Sequence, residues 1–138
     1  MSIVEVVVFI ISLCIYGVNN DAFLSPDAHS LAILGMADAK STKNDYEYYR
    51  LIMPAFLHGN LDHIASNVAF QLWAGSGIEY GIGPWRMAIL YTLCSIGGVF
   101  FSIDLHPESV AVGASCAGYG LIGFYLAYCV SNYGYMER

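Results

Sequence analysis

The stretch His58-Gly-Asn-Leu-Asp-His63-Ile-Ala-Ser-Asn67-Val-Ala-Phe-Gln71 decides how this chain is read. From His63 onward it opens an apolar segment that runs to about Ile78, yet His63, Asn67 and Gln71 recur within it at a spacing of four. On an α-helix that spacing stacks the three side chains along one face, which Gly75 continues, while Ile64, Val68, Phe70 and Leu72 cover the other faces. Imidazole and amide groups are costly in a membrane helix and turn toward a bundle interior or a water-filled cavity. The stripe therefore reads either as hydrogen-bonding glue between helices or as the wall of a functional cavity.

The surrounding composition makes the membrane setting the better frame. Hydrophobic residues make up 57% of the 138 positions and charged residues 12%. A soluble domain would have about 45–50% and about 25%. The mean hydropathy is +0.57. Spans are expected over residues 3–18, 61–79, 85–103 and 113–130, with a long loop over residues 19–57. Residues 3–18 carry Glu5 and no Lys or Arg, which favours a first transmembrane helix over a secretory signal. At 1.5 Å per residue such a helix covers only about 24 Å, so it must use its flanks or thin the bilayer. The loop holds most of the charge but also apolar clusters such as Leu31-Ala-Ile-Leu34, the pattern of short helices lying at the interface.

Eleven acids against five bases give a net charge of −6, and the bases are scattered. With no basic patch, nucleic acid is not an expected partner. Cys14, Cys94, Cys116 and Cys129 each sit in apolar sequence, as small buried side chains rather than a disulfide framework. His58 and His63 are five apart, which splays their rings on a helix, so no metal site and no cofactor is expected.

The fourth apolar segment is rich in small residues. Ala114 with Gly118, Cys116 with Gly120, and Gly123 with Ala127 form small-xxx-small pairs that let helices approach closely. Ser115 stands at its start, in Gly113-Ala-Ser115-Cys-Ala-Gly118. A helix N-terminus offers unpaired N–H groups to a developing negative charge, so this serine has both a hydroxyl and a local anion site. The competing reading is a serine that only packs. Ala117 and the absence of a β pattern exclude the strand–turn–helix nucleophile elbow.

Taken in order, these motifs resemble the rhomboid intramembrane proteases. His58-x4-His63-x3-Asn67 is similar to that family's H-x4-H-x3-N, and Glu79-x3-Gly83-x2-Arg86 to its E-x3-G-x2-R. Gly113-Ala-Ser115 is similar to its G-x-S, with Tyr119 at its aromatic position one turn later. The loop around Phe23–Gly35 and Tyr49–His58 resembles the eukaryotic secretase-type members. The resemblance implies an all-α polytopic bundle with four of the family's six or more helices in this chain. It implies serine endopeptidase activity on transmembrane-anchored proteins, with Ser115 as nucleophile. It implies oxyanion support from Asn67, His63 and the Ser115 backbone, with His58 near the same cavity and Tyr119 against the ring of the catalytic histidine. Glu79, Gly83, Arg86 and Gly113 would be structural motif positions.

Two features depart from the family pattern. Cys116 stands where the family has glycine, and its side chain is expected to crowd the substrate beside Ser115. The family's catalytic histidine belongs to a sixth helix beyond this chain, and neither His29 nor His106 matches its position. An inactive relative that binds transmembrane segments is thus the alternative. The family topology sets the long loop and Asp104–Glu108 on one side, opposite Arg86 and Arg138, in a secretory-pathway or plasma membrane rather than a mitochondrial one.

Overall fold

The computed structural model describes residues 1–133; Glu137 and Arg138, which bear on the expected topology, lie outside the described residues. The protein is mostly helical with very little sheet. Helix α1 (Ser2–Ile15) is apolar outward and buries Glu5, Phe9 and Ser12 inward. The loop after it is ordered. Strand β1 (Val18–Asn19) pairs antiparallel with β2 (Ser25–Pro26). Helix α2 (Ala28–Leu34) is capped by Asp27, which accepts from the His29 N–H, and ends at Gly35 with φ +104°. A Cβ on Gly35 would also fall 2.9 Å from the Tyr49 ring, so glycine serves both the left-handed turn and the close approach.

Strand β3 (Ala37–Asp38) leads into α3 (Ala39–Lys43), and two 3₁₀ turns follow, Tyr48–Leu51 and Met53–Phe56. Asp38 caps α3 by accepting from the Oγ and N–H of Ser41 at 2.6 and 2.8 Å, bonds that hold its carboxyl below the usual range. Arg50 fastens the loop to itself. It pairs with Glu47 through Nε and donates through Nη1 to the carbonyls of Ala32 and Met36 at 2.9 and 3.0 Å.

The motif stretch forms one rod of three pieces: α4 (Leu61–Phe70), a π turn (Gln71–Gly75) and α5 (Ser76–Ile82). Asn60 caps it by accepting from the His63 N–H at 2.8 Å. Gly83, at φ +86°, turns the chain into α6 (Pro84–Leu105), where Pro84 sits in the first turn and needs no N–H partner. Strand β4 (Val110–Ala111) pairs with β3, and α7 (Ser115–Ser131) closes the bundle. No strand was expected from the sequence; these two-residue pairings are too short to leave an alternating pattern.

Helices α6 and α7 make the most extensive contact. Cysteines fill their facing glycines: Cys94 over Gly120, and Cys116 over Gly98. Gly118 lies against Phe70 of α4. Among the described residues nothing lies within 4 Å of a Cβ placed on Gly123, so the Gly123–Ala127 pair makes no close approach there of the kind its spacing suggested. One core lies among Ala55, Ile78, Tyr91, Ala114, Ala117 and Leu121. A second joins Ala37 and Ala39 of the loop to Val99 and Ile103 of α6. The four cysteines are free.

The outer faces are apolar and open, with Trp73, Trp85 and Val130 each at least 78% exposed. Such surfaces need a bilayer or a partner. Among the described residues one helix, α6, is long and apolar enough to cross a membrane; α1 and α7 are shorter apolar helices. Lys43 pairs with Asp104 at 2.8 Å, and β3 pairs with β4, so the long loop and the α6–α7 connection meet at one end of the bundle.

Candidate functional site

Ser115 and the polar face of α4 share a cavity. It measures about 270 Å³ and is lined by His63, Ser66, Asn67, Phe70, Ser115, Gly118, Tyr119 and Ile122. Ser115 is the first residue of α7, where the N–H groups of the first turn lack helical acceptors. Gly113 makes the approach possible. Its φ of +120° suits glycine, and a Cβ there would fall 2.6 Å from Cε1 and Nε2 of His63. Its N–H donates to the Pro54 carbonyl at 2.8 Å, which ties this turn to the second 3₁₀ turn.

The expected residues do not all converge. Asn67 lines the cavity while its Nδ2 donates to the His63 carbonyl at 2.8 Å, leaving its Oδ1 uncommitted among the described hydrogen bonds. His58 is behind the wall rather than on it. It is fully buried, its ring edge-on to His63 with centroids 5.2 Å apart. Burial, then the charge of His63, push its pKa down to about 4, with a small opposing pull from the Phe56 backbone. Among the described residues no hydrogen-bond partner reaches either ring nitrogen. Tyr119 lies on the cavity wall, 75% exposed, with no histidine ring against it among the described residues.

Gln71 leaves the stripe. Each i+4 step on a 3.6-residue helix advances about 40° around the axis, and the π turn begins at Gln71 itself. Its side chain bonds to Ser2, Glu5 and Tyr91 instead. Cys116 is also turned away from the cavity, into the α6 contact at Gly98, so the crowding expected beside Ser115 does not occur there. Glu79 is exposed and forms no ion pair with Arg86 among the described residues. Arg86 donates to the Ile82 carbonyl at 3.2 Å, and the Gly83 N–H to Glu79 at 2.8 Å, so this motif builds the α5–α6 corner.

Ser66, Phe70, Gly118 and Ile122 also line the cavity and were not read as site residues, Phe70 and Gly118 having been assigned to packing, although helical spacing marks them. Phe70 follows Asn67 by three, and Gly118 and Ile122 follow Ser115 by three and seven.

The bundle thus has an apolar exterior and a cavity that brings a serine together with an amide and an imidazole. Residues 45–138 match the model of the rhomboid domain, and the chain belongs to the rhomboid family. It is 30% identical over 123 residues to rhomboid-like protease 3 of Toxoplasma gondii, covering 89% of this chain and 44% of that protein. It is 35% identical over 124 residues to rhomboid-like protease 1 of the same organism, covering 89% and 41%. It is 27% identical over 115 residues to the inactive RHOMBOID-like protein 8 of Arabidopsis thaliana, covering 83% and 33%. The chain thus spans less than half the length of these relatives. The family makes it a membrane protein related to peptide hydrolases.

Proposed function

We propose that this chain supplies the nucleophile and oxyanion side of an intramembrane serine endopeptidase acting on transmembrane-anchored proteins. The observation that carries this reading is the cavity in which Ser115, at the start of α7, faces His63 and Asn67. In that reading the Ser115 hydroxyl attacks a peptide carbonyl. The Ser115 N–H, and side-chain donors of His63 and Asn67, take the negative charge on the carbonyl oxygen. Asn67 Nδ2 gives one of its two protons to the His63 carbonyl, and the second is the donor it offers here. The proton of Ser115 goes to a histidine outside these 138 residues, since a serine without a base is a weak nucleophile. The cavity is lined by Phe70 of α4 and by Tyr119 and Ile122 of α7, side chains that suit a substrate segment arriving from the bilayer.

Four membrane crossings, over about residues 3–18, 61–79, 85–103 and 113–130, belong to this proposal. So does a secretory-pathway or plasma membrane location. The name of RHOMBOID-like protein 6, mitochondrial, of Arabidopsis thaliana raises the other address.

The test is cleavage of a transmembrane reporter by the longer protein containing this chain, with a serine-directed phosphonate to mark the nucleophile. Labelling at Ser115, with loss of labelling and cleavage in Ser115→Ala, is the expected result. Reporter binding without cleavage or labelling would favour an inactive, segment-binding relative, a reading to which the inactive name of one relative lends weight.

A further inference from the structure

Glu5 is a costly group for the bundle: a carboxylate with no exposed surface, on an apolar helix. Among the described residues no Lys, Arg or His pairs with it. Its hydrogen-bond partners are neutral, and the N-terminal amine acts on it only through space. Gln71 Nε2 donates to both carboxylate oxygens at 2.8 and 3.0 Å, and the Tyr91 hydroxyl donates to one of them at 2.9 Å. Gln71 also accepts from Ser2 Oγ at 2.7 Å. The set links α1, the motif rod and α6.

Gln71 is where the rod leaves α-helical geometry. Its backbone N–H is shared between the carbonyls of Asn67 and Val68. One backbone bond therefore separates the residue gripped by Glu5 from the residue whose amide lines the Ser115 cavity. A π turn has poorer internal bonding than the α-helix around it, and persists where outside contacts hold it. Here that contact is the Gln71 side chain, drawn toward α1.

We propose that Glu5 is a positioning residue for the Ser115 cavity: by gripping the Gln71 amide it holds the π turn, and so sets the direction in which α4 presents Asn67. This rests on reading that cavity as the site, but the device itself is a statement about Asn67. Glu5→Leu removes the acceptor and frees Gln71. Glu5→Gln keeps the shape but leaves one acceptor oxygen in place of two. The exchange Glu5→Gln with Gln71→Glu rebuilds the pair in reverse. The new amide at position 5 donates to the new carboxylate at 71, which still accepts from Ser2, while Tyr91 donates to the remaining carbonyl.

The measurement is the ¹⁵N side-chain amide signal of Asn67 in detergent micelles, assigned by its loss in Asn67→Asp. It should shift in Glu5→Leu, shift less in Glu5→Gln, and return to the wild-type position in the exchange variant, with helical content unchanged. A merely structural Glu5 would lower stability without moving that signal. The proposal is overturned if a folded Glu5 variant displaces the Gln71 amide signal and leaves Asn67 in place. If Glu5→Leu does not fold, the other two variants decide. An exchange variant that fails to fold, or folds with Asn67 displaced, overturns it. Absence of Ser115 chemistry in the wild-type protein would overturn the functional reading alone and leave the Asn67 shifts to be judged on their own.

Discussion

Gly113 lies directly against His63: a Cβ at position 113 would sit 2.6 Å from the imidazole, at a backbone φ of +120° that L side chains rarely adopt. The residue two before Ser115 is thus the surface on which the His63 ring rests. Gly113→Ala should destabilise the bundle by about 1–3 kcal/mol through strain and overpacking. In the longer protein it should also lower phosphonate labelling of Ser115 by more than the stability loss accounts for. Unfolding in denaturant, followed by labelling under conditions where the variant is folded, checks both.

Cys116 and Gly98 bear on the departure from the family pattern. Because Cys116 fills the space over Gly98, its side chain belongs to the α6–α7 contact. Gly98→Ala should cost about 1–3 kcal/mol, since the added methyl would meet Cys116 Cβ at 2.6 Å. Cys116→Gly should relieve that cost, giving a coupling of about 0.5–3 kcal/mol in a double-mutant cycle. Strictly additive effects would place Cys116 elsewhere.

His58 predicts an acid-sensitive fold. Its pKa falls from 6.5 to about 4 on burial, so the unfolded chain takes up a proton over a range in which the folded chain refuses it. The contribution of neutral His58 is therefore complete above about pH 6.5, declines as pH falls toward 4, and is gone below that. The shift corresponds to at most roughly 3 kcal/mol. His58→Phe should keep the edge-on contact with His63 and flatten the pH dependence of unfolding between pH 6.5 and 4. An unchanged slope would assign the proton uptake to another group.

The helical class and the meeting of His63, Asn67 and Ser115 were legible because each rests on local spacing and on where a helix begins. The limit shows at Gln71, which the four-residue rule set on one face with His63 and Asn67 without naming what it bonds: its partners are on α1 and α6. A π turn changes register in a way no side-chain periodicity announces, and its cause, Glu5, is 66 positions away. In the sequence Glu5 was only an acid that argued against a signal peptide. Likewise the β3–β4 pairing joins residues more than 70 apart through two residues per strand, too few for a pattern. Cys116 was misread for a related reason: it follows Ser115, which lines the cavity, while its own side chain packs over a glycine on another helix.

The Lys43–Asp104 pair and the β3–β4 pairing place the long loop with the end of α6. In a cysteine-free background, probes at Ser41 and Asp104 should be reached from one side of the membrane. A probe at Gly81, beside the α5–α6 corner, should be reached from the other. Equal access to Ser41 and Gly81 from one side would contradict the proposed crossings.

The last prediction separates the roles within the cavity. If Ser115 is the nucleophile, Ser115→Ala in the longer protein should bring reporter cleavage to background. Loss of a nucleophile costs on the order of a million-fold in a well-studied serine protease. Asn67→Ala and His63→Ala remove proposed oxyanion donors and should each lower kcat by about 10²–10³, with KM little changed. Combining either with Ser115→Ala should add nothing, because the donors act on an intermediate that then never forms. The 138 residues expressed alone should give no cleavage above background, since the proposed base lies outside them. Co-expression of the remaining helices of the longer protein should restore it. Robust cleavage by residues 1–138 alone would move the general-base role onto a histidine of this chain. His63 would be the first to test, since it lines the cavity, while the buried ring of His58 does not reach it.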